Sequence, residues 1–170
     1  MIPKVIHYCW FGGSELPEYV ERCIQSWKKF CPDYQIKRWD ESNYNFEKYP
    51  FCREAYEKKK WAFVSDVARL DIVYSEGGIY LDTDVELIKS LDDLLIEHAF
   101  MGFERGRLVA TGLGFGGEKG KKMMKKNFKN FENESKAKDA KFFKFNATDG
   151  EKLFRLERQN SQGEKVSCMT

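Results

Sequence analysis

Apolar residues fall in short runs divided by polar and glycine-bearing stretches, and the runs change period along the chain. Val5 to Trp10 is a compact apolar and aromatic run closed by Gly12-Gly13, which predicts a buried strand and a turn. Pro17 opens the next segment, where Val20, Cys23, Ile24, Trp27 and Phe30 recur at helical spacing until Cys31-Pro32. Gln35 to Trp39 alternates as a second strand, and Asp40 to Pro50, rich in Asn, Asp, Ser and Tyr, predicts a loop. A short helix is expected over Cys52 to Lys60. Trp61 to Glu76 is the strongest helix. Its apolar positions cover nearly the whole circumference, the pattern of a buried helix. Gly77-Gly78 stops it, and Ile79 to Leu81 follows as a buried strand. Leu87 to Leu95 predicts a turn with one helical turn, and Ala99 to Phe103 and Leu108 to Phe115 are further strands. Past Lys121, Met123, Met124, Phe128 and Phe131 line one side of a basic helical segment; the pattern fades beyond Phe145. Alternating strands and helices predict an α/β fold.

The 170 residues suit one domain with a sizeable core. With 42% apolar and 33% charged residues, the chain reads as globular rather than disordered. A net charge of +2 gives no support to nucleic-acid binding. The charge is uneven: residues 118–146 hold ten Lys against four acidic side chains, a local +6. This stretch divides the chain into a core over 1–119, a basic helical segment over 120–157 and a polar tail, read as unstructured, over 158–170. A basic helix is most often a solvated face, and its further reading is contact with an anionic acceptor or a membrane surface. Five cysteines, an odd number without C-x-x-C spacing, argue against a zinc site or a disulfide framework and for free thiols in a reducing compartment. No apolar run is long enough to span a bilayer, and none at the N-terminus resembles a signal peptide. A cytoplasmic location, with peripheral contact at the inner face of a membrane, is therefore expected.

Asp82 and Asp84 raise the sharpest chemical question, because Ile79 to Leu81 leads straight into them. Residues two apart on an extended strand share a face, so both carboxylates are expected to point the same way. Close, desolvated like charges need a cation, and hard oxygen ligands suit Mg²⁺ or Mn²⁺. The bland alternative is a solvated acidic turn. Asp66 and Arg69, three apart on an otherwise apolar helix, share a face. A buried charge must be paired or serve a ligand; here the pair either orients the helix internally or binds sugar hydroxyls and phosphate. Trp10, at the carboxyl end of the first strand beside Gly12-Gly13, can stack on a flat base or simply fill core. His7 reads as structural, and Trp61 fits either role.

Three stretches in order, "IPKVIHYCWFGG", "WAFVSDVARLDIVYSEGGIYLDTDVELIKSLDDL" and "MGFE", resemble the DXD-containing sugar-binding glycosyltransferases. That group includes bacterial capsular and lipopolysaccharide sugar transferases and a yeast initiating mannosyltransferase, with glucosylating toxins as distant relatives. The resemblance covers about Ile2 to Lys119 and implies a GT-A-type fold, a Rossmann-like α/β sandwich, with a C-terminal part short relative to the family. It implies a nucleotide-diphospho-sugar donor, a saccharide or glycolipid acceptor, Mn²⁺ or Mg²⁺, retention of anomeric configuration and a role in cell-surface polysaccharide synthesis. By matching motifs, Trp10 would lie near the base, and Asp66 and Arg69 would hold the donor sugar. Tyr80 and Asp82 would lie against ribose and sugar, and Asp84, with Asp82, would bind the metal; Asp66, Arg69 and Asp82 are the catalytic set implied. Two alternatives stand beside this reading. One is a non-catalytic donor-binding fragment. The other is a haloacid-dehalogenase-type phosphatase, because "IYLDTDV" also fits an Asp-x-Asp nucleophile motif.

Overall fold

The computed structural model describes residues 1–104, 108–109, 114–120, 157–159 and 165–167. The basic helical segment expected after Lys121 lies outside the described residues. Strands β1 (Val5–Cys9), β2 (Gln35–Trp39) and β3 (Gly78–Leu81), with helices α1 (Glu18–Phe30), α2 (Pro50–Glu57) and α3 (Trp61–Glu76), make up most of the core. A five-stranded sheet is completed by β5 (Ala99–Met101) and β8 (Gly114–Gly117), in the order β2-β1-β3-β8-β5. β1 pairs in parallel with both β2 and β3, and β8 runs antiparallel to β3 and β5. The remaining strands are short. β4 (Val85–Glu86), β9 (Glu157–Gln159) and β10 (Lys165–Ser167) form a three-stranded sheet, and β6 (Phe103–Glu104) pairs with β7 (Leu108–Val109). Residues 158–170 show no hydrophobic period, yet β9 and β10 lie within or beside them. Strand pairing there depends on a partner, β4, far away in sequence.

Period-two alternation sends the strand side chains into two apolar layers. Ile6, Tyr8, Ile79 and Leu81 pack with Val20, Cys23, Ile24 and Trp27 of α1. Cys9, Tyr80 and Phe115 pack with Val64, Val67, Ala68 and Val73 of α3 and with Cys52 and Ala55 of α2. α3 is buried along most of its length, as its all-round apolar pattern predicts, but its first turn is not: Phe63 is 48% exposed. The predicted loop at Asp40 to Pro50 contains a short 3-10 turn, Phe46–Lys48, and α2 begins at Pro50, two residues before the expected start, with proline in the first turn.

α2 ends in a Schellman motif. The Lys60 N–H donates to the Ala55 carbonyl at 2.8 Å and the Lys59 N–H to that of Tyr56 at 2.9 Å. The residue in the left-handed position is Lys59, with φ 55°, where glycine is usual.

His7 is fully buried on the α3 side of β1. Its Nδ1 accepts from Trp39 Nε1 at 3.1 Å and its Nε2 lies 2.8 Å from the Gly77 carbonyl, which selects the neutral Nε2–H tautomer. Gly78 permits this packing: it has φ 104°, and a Cβ there would stand 2.8 Å from His7 Nε2. Burial lowers the His7 pKa below its ordinary value near 6.5, the Gly77 carbonyl opposing that shift only in part. A His with a depressed folded pKa stabilises the fold fully above the unfolded value and loses that contribution as pH falls. Unfolding free energy, from urea titrations followed by circular dichroism, should therefore drop as pH falls below about 6.5. The drop should be shallower in His7→Gln. Parallel pH profiles for the two proteins would exclude this role.

Candidate functional site

The chain passes through β1, α1 and β2 and then returns to the other side of β1 at β3, so the sheet order reverses between β1 and β3. Open α/β sheets bind ligands beyond the carboxyl ends of the strands at such a point. A cleft of about 340 Å³ lies there, and Trp10, Trp61, Ser65, Arg69, Tyr80 and Asp82 are among its walls.

Arg69 organises the cleft. It is 7% exposed and reaches from α3 toward the end of β3. Its Nη2 pairs with Asp66, its Nη1 lies 3.4 Å from both Asp82 oxygens, and its Nε donates to the Ser65 carbonyl at 3.3 Å. The guanidinium also stands 5.5 Å from the centroid of the Tyr80 ring, a cation–π contact. Burial works against the Arg69 charge, but the Asp82 and Asp66 carboxylates and the Tyr80 phenol more than offset it and raise its pKa. The cleft therefore keeps a fixed cation between two carboxylates.

Trp10 is half-buried, and its indole Nε1 donates to the Ser14 carbonyl at 2.8 Å, folding the Trp10–Ser14 loop back on itself. Gly12 lets that loop meet α3: with φ 99°, its missing Cβ would fall 2.7 Å from Trp61 Nε1. Tyr56 also packs edge-on against Trp61, at 5.3 Å. Trp61 is thus an aromatic wall of the cleft. Tyr80 is 1% exposed and stacks at 5.7 Å on Phe115, so it is more floor than ligand. Burial, with the Cys9 thiol and Asp82 nearby, pushes its phenol well above the ordinary range. Cys9 also lines the cleft, and burial raises its pKa, which keeps the thiol protonated and a poor nucleophile.

The two motif aspartates do not sit on an extended strand. β3 ends at Leu81, and Asp82-Thr83-Asp84 forms a turn closed by the Val85 N–H to the Asp82 carbonyl at 3.1 Å. The expectation that both carboxylates share a strand face is corrected on this point, because the turn rotates the second relative to the first. Asp82 and Thr83 line the cleft; Asp66 joins it through Arg69, and Asp84 stands at the far end of the turn. α1 holds this turn from behind. Trp27 Nε1 donates to the Val85 carbonyl at 2.7 Å, and Ser26 Oγ accepts from the Leu87 N–H at 2.9 Å. Sequence reading missed both anchors, since each joins positions about sixty residues apart. It also missed Asp71, buried on α3, which accepts from Lys48 at 2.6 Å and Tyr49 at 2.8 Å and ties the preceding loop to the helix.

Among the described residues no three His, Cys, Asp or Glu side chains cluster as a metal site. Asp82 and Asp84 are nonetheless hard oxygen donors within one turn. Mg²⁺-type ions are commonly held by one or two carboxylates, with substrate phosphates and water completing the shell. The donor set fits such an ion.

The architecture is a GT-A-type α/β fold. The PaToxG glycosyltransferase superposes on 79% of this chain and 62% of its own with a TM-score of 0.65 and 20% identity, a likeness of fold. Residues 17–101 match the family described as "Glycosyltransferase sugar-binding region containing DXD motif", and the chain belongs to that family. Membership removes the phosphatase alternative. Inositol phosphoceramide mannosyltransferase 3 of Schizosaccharomyces pombe is 35% identical over 122 residues, which is 62% of this chain and 34% of that one. An uncharacterized glycosyltransferase of Acanthamoeba polyphaga mimivirus is 37% identical over 107 residues, 56% of this chain and 40% of that one. The mannosyl phosphorylinositol ceramide synthase SUR1 of Saccharomyces cerevisiae is 33% identical over 105 residues, 59% of this chain and 27% of that one. The chain thus spans about a third of the length of these curated relatives.

Proposed function

We propose that this chain binds a nucleotide-diphospho-hexose and transfers the hexose, with retention and with a divalent metal, to a hydroxyl of a glycolipid acceptor. One observation carries the reading: Arg69, held between Asp66 and Asp82, sits in an aromatic-walled cleft at the point where the sheet order reverses. The names of the relatives favour mannose as the sugar and an inositol phosphoceramide-type lipid as the acceptor, ahead of a capsular polysaccharide.

The residues divide the work by chemistry. Trp10 and Trp61 offer flat apolar surface to a base. Asp66 accepts hydrogen bonds from sugar hydroxyls, and Arg69 keeps that carboxylate oriented. Asp82 is shared between Arg69 and the donor. Asp84, with Asp82, would hold Mn²⁺ or Mg²⁺, which when bound supplies positive charge against the charge that grows on the leaving diphosphate. The bond from the anomeric carbon to the diphosphate oxygen breaks as the bond to the acceptor oxygen forms. The acceptor proton passes to the leaving phosphate oxygen on the same face, which retains configuration.

Asp66→Asn tests the sugar contact, since it keeps the shape and removes the charge. By calorimetry with Mn²⁺, it should weaken binding of the best sugar nucleotide from a panel that includes GDP-mannose and UDP-glucose by roughly tenfold. A charged hydrogen bond contributes about 1.5–3 kcal/mol, and the bare nucleoside diphosphate, which has no sugar to make it, should lose about twofold or less. Equal losses for both ligands would make Asp66 purely structural. If no panel member raises the thermal midpoint of the parent chain at saturating concentration, the donor reading fails.

A further inference from the structure

The corner between α2 and α3 reads Lys58-Lys59-Lys60-Trp61-Ala62-Phe63, and it forms one lip of the cleft through Trp61 and Ala62. All three lysines are exposed. The nearby acidic side chains are already engaged: Glu54 pairs with Lys58, and Glu47 and Glu57 face Arg53 at 3.3 and 3.9 Å. Among the described residues Lys59 and Lys60 form no ion pair, and with Arg53 and Lys58 they outnumber Glu47, Glu54 and Glu57 by one positive charge, presented at the exposed Lys58–Lys60 run. Next to it Phe63 is 48% exposed, with the half-buried Phe51 ring packed edge-on against it at 6.3 Å. Lysines beside exposed aromatics are the composition that settles at an anionic lipid surface, the charges meeting headgroups and the rings entering the interface.

The backbone at this corner supplies a control. Lys59 holds the left-handed position of the Schellman motif, where a lysine costs stability that a glycine would not. Lys59→Gly is therefore a change the fold should welcome, which makes it a clean probe of the side chain.

We propose that the Lys58–Phe63 corner docks the chain on an anionic bilayer and sets the mouth of the cleft against the membrane, where a lipid-linked acceptor presents its headgroup. This inference rests on the glycolipid-acceptor reading above, and its occupant is the bilayer itself. Lys58, Lys59, Lys60 and Phe63 then orient the enzyme on the acceptor's surface and touch neither donor nor metal.

The test is sedimentation of the whole chain with vesicles of phosphatidylcholine alone or with roughly a third phosphatidylinositol. The parent should partition onto the anionic vesicles and lose that binding as salt is raised. A combined Lys58→Gln, Lys59→Gly, Lys60→Gln variant should bind roughly a hundredfold more weakly, at about fivefold per lysine near an anionic surface. Phe63→Ser should cost roughly tenfold by removing apolar area from the interface. The single Lys59→Gly variant separates this effect from misfolding: it should be more stable than the parent to urea and yet bind vesicles less well. Equal binding to neutral and anionic vesicles, or parent and combined variant within twofold of each other, overturns the proposal. Donor-induced thermal stabilisation, measured on the same proteins, keeps the two readings apart. If it is absent while vesicle binding still depends on the corner, the transferase reading fails and the docking surface stands. If it is intact while vesicle binding ignores the corner, the docking surface fails alone.

Discussion

Asp84→Ala is expected to abolish Mn²⁺-dependent binding of a nucleoside diphosphate, a loss of roughly a hundredfold or more by calorimetry, while the thermal midpoint without ligand hardly moves. Removing one of two carboxylate ligands leaves a metal of this class with too few protein oxygens to hold a phosphate in place. The fold should tolerate the change, because Asp84 is partly exposed at the end of a turn whose position is set by its neighbours. Val85 is fully buried, and its carbonyl is held by Trp27. Mn²⁺-dependent affinity unchanged in the variant would remove Asp84 from the metal site and leave Asp82 to be tested in the same way.

The second large effect is expected at Trp27. This side chain has no exposed surface, packs edge-on against Tyr8 at 5.7 Å, and donates its indole hydrogen bond to Val85 directly behind the motif turn. Trp27→Ala leaves a cavity between α1 and the sheet and strands a buried carbonyl, and should cost about 3–5 kcal/mol in urea denaturation. Trp27→Phe separates the two contributions. It keeps most of the packing, loses only the hydrogen bond, and should cost about 1–3 kcal/mol. If the turn depends on that bond, metal-dependent nucleotide affinity should fall in the Phe variant although the protein remains folded at the assay temperature. Stability within about 1 kcal/mol of the parent for Trp27→Ala would contradict the burial of Trp27 between α1 and the sheet.

How far the fold was legible can be judged element by element. α3 spans the expected Trp61–Glu76, because a sixteen-residue apolar helix followed by two glycines is a long and local signal. β2, short and only moderately alternating, was legible too, at Gln35–Trp39. The start of α2 and the 3-10 turn at Phe46 were not, since a proline that opens a helix and a short turn of mixed residues look alike in sequence. The predicted strand at Leu108 to Phe115 is described only at its ends, as β7 and β8, and β8 lies inside the main sheet between β3 and β5. Three glycines and a phenylalanine carry no period that could reveal an interior strand. Gly116 is there because Phe100 occupies the space a Cβ would need, at 2.5 Å.

The site divides along similar lines. By itself the sequence determined that Asp66 and Arg69 meet, since three residues along a helix bring side chains together whatever the rest of the chain does. It also determined that an acidic pair follows a buried strand, and that a tryptophan ends the first one. Only the tertiary structure decided that Arg69 also faces Asp82, that Trp61 closes the cleft over Gly12, and that the aspartates stand on a turn held by Trp27 instead of on a strand face. Those contacts depend on β3 crossing to the far side of β1 and on α1 packing against one face of the sheet and α3 against the other. Local periodicity specifies which face of an element is apolar, but not which other element covers it. That choice is made by packing the whole core at once, and it is there that Arg69 gains its second carboxylate.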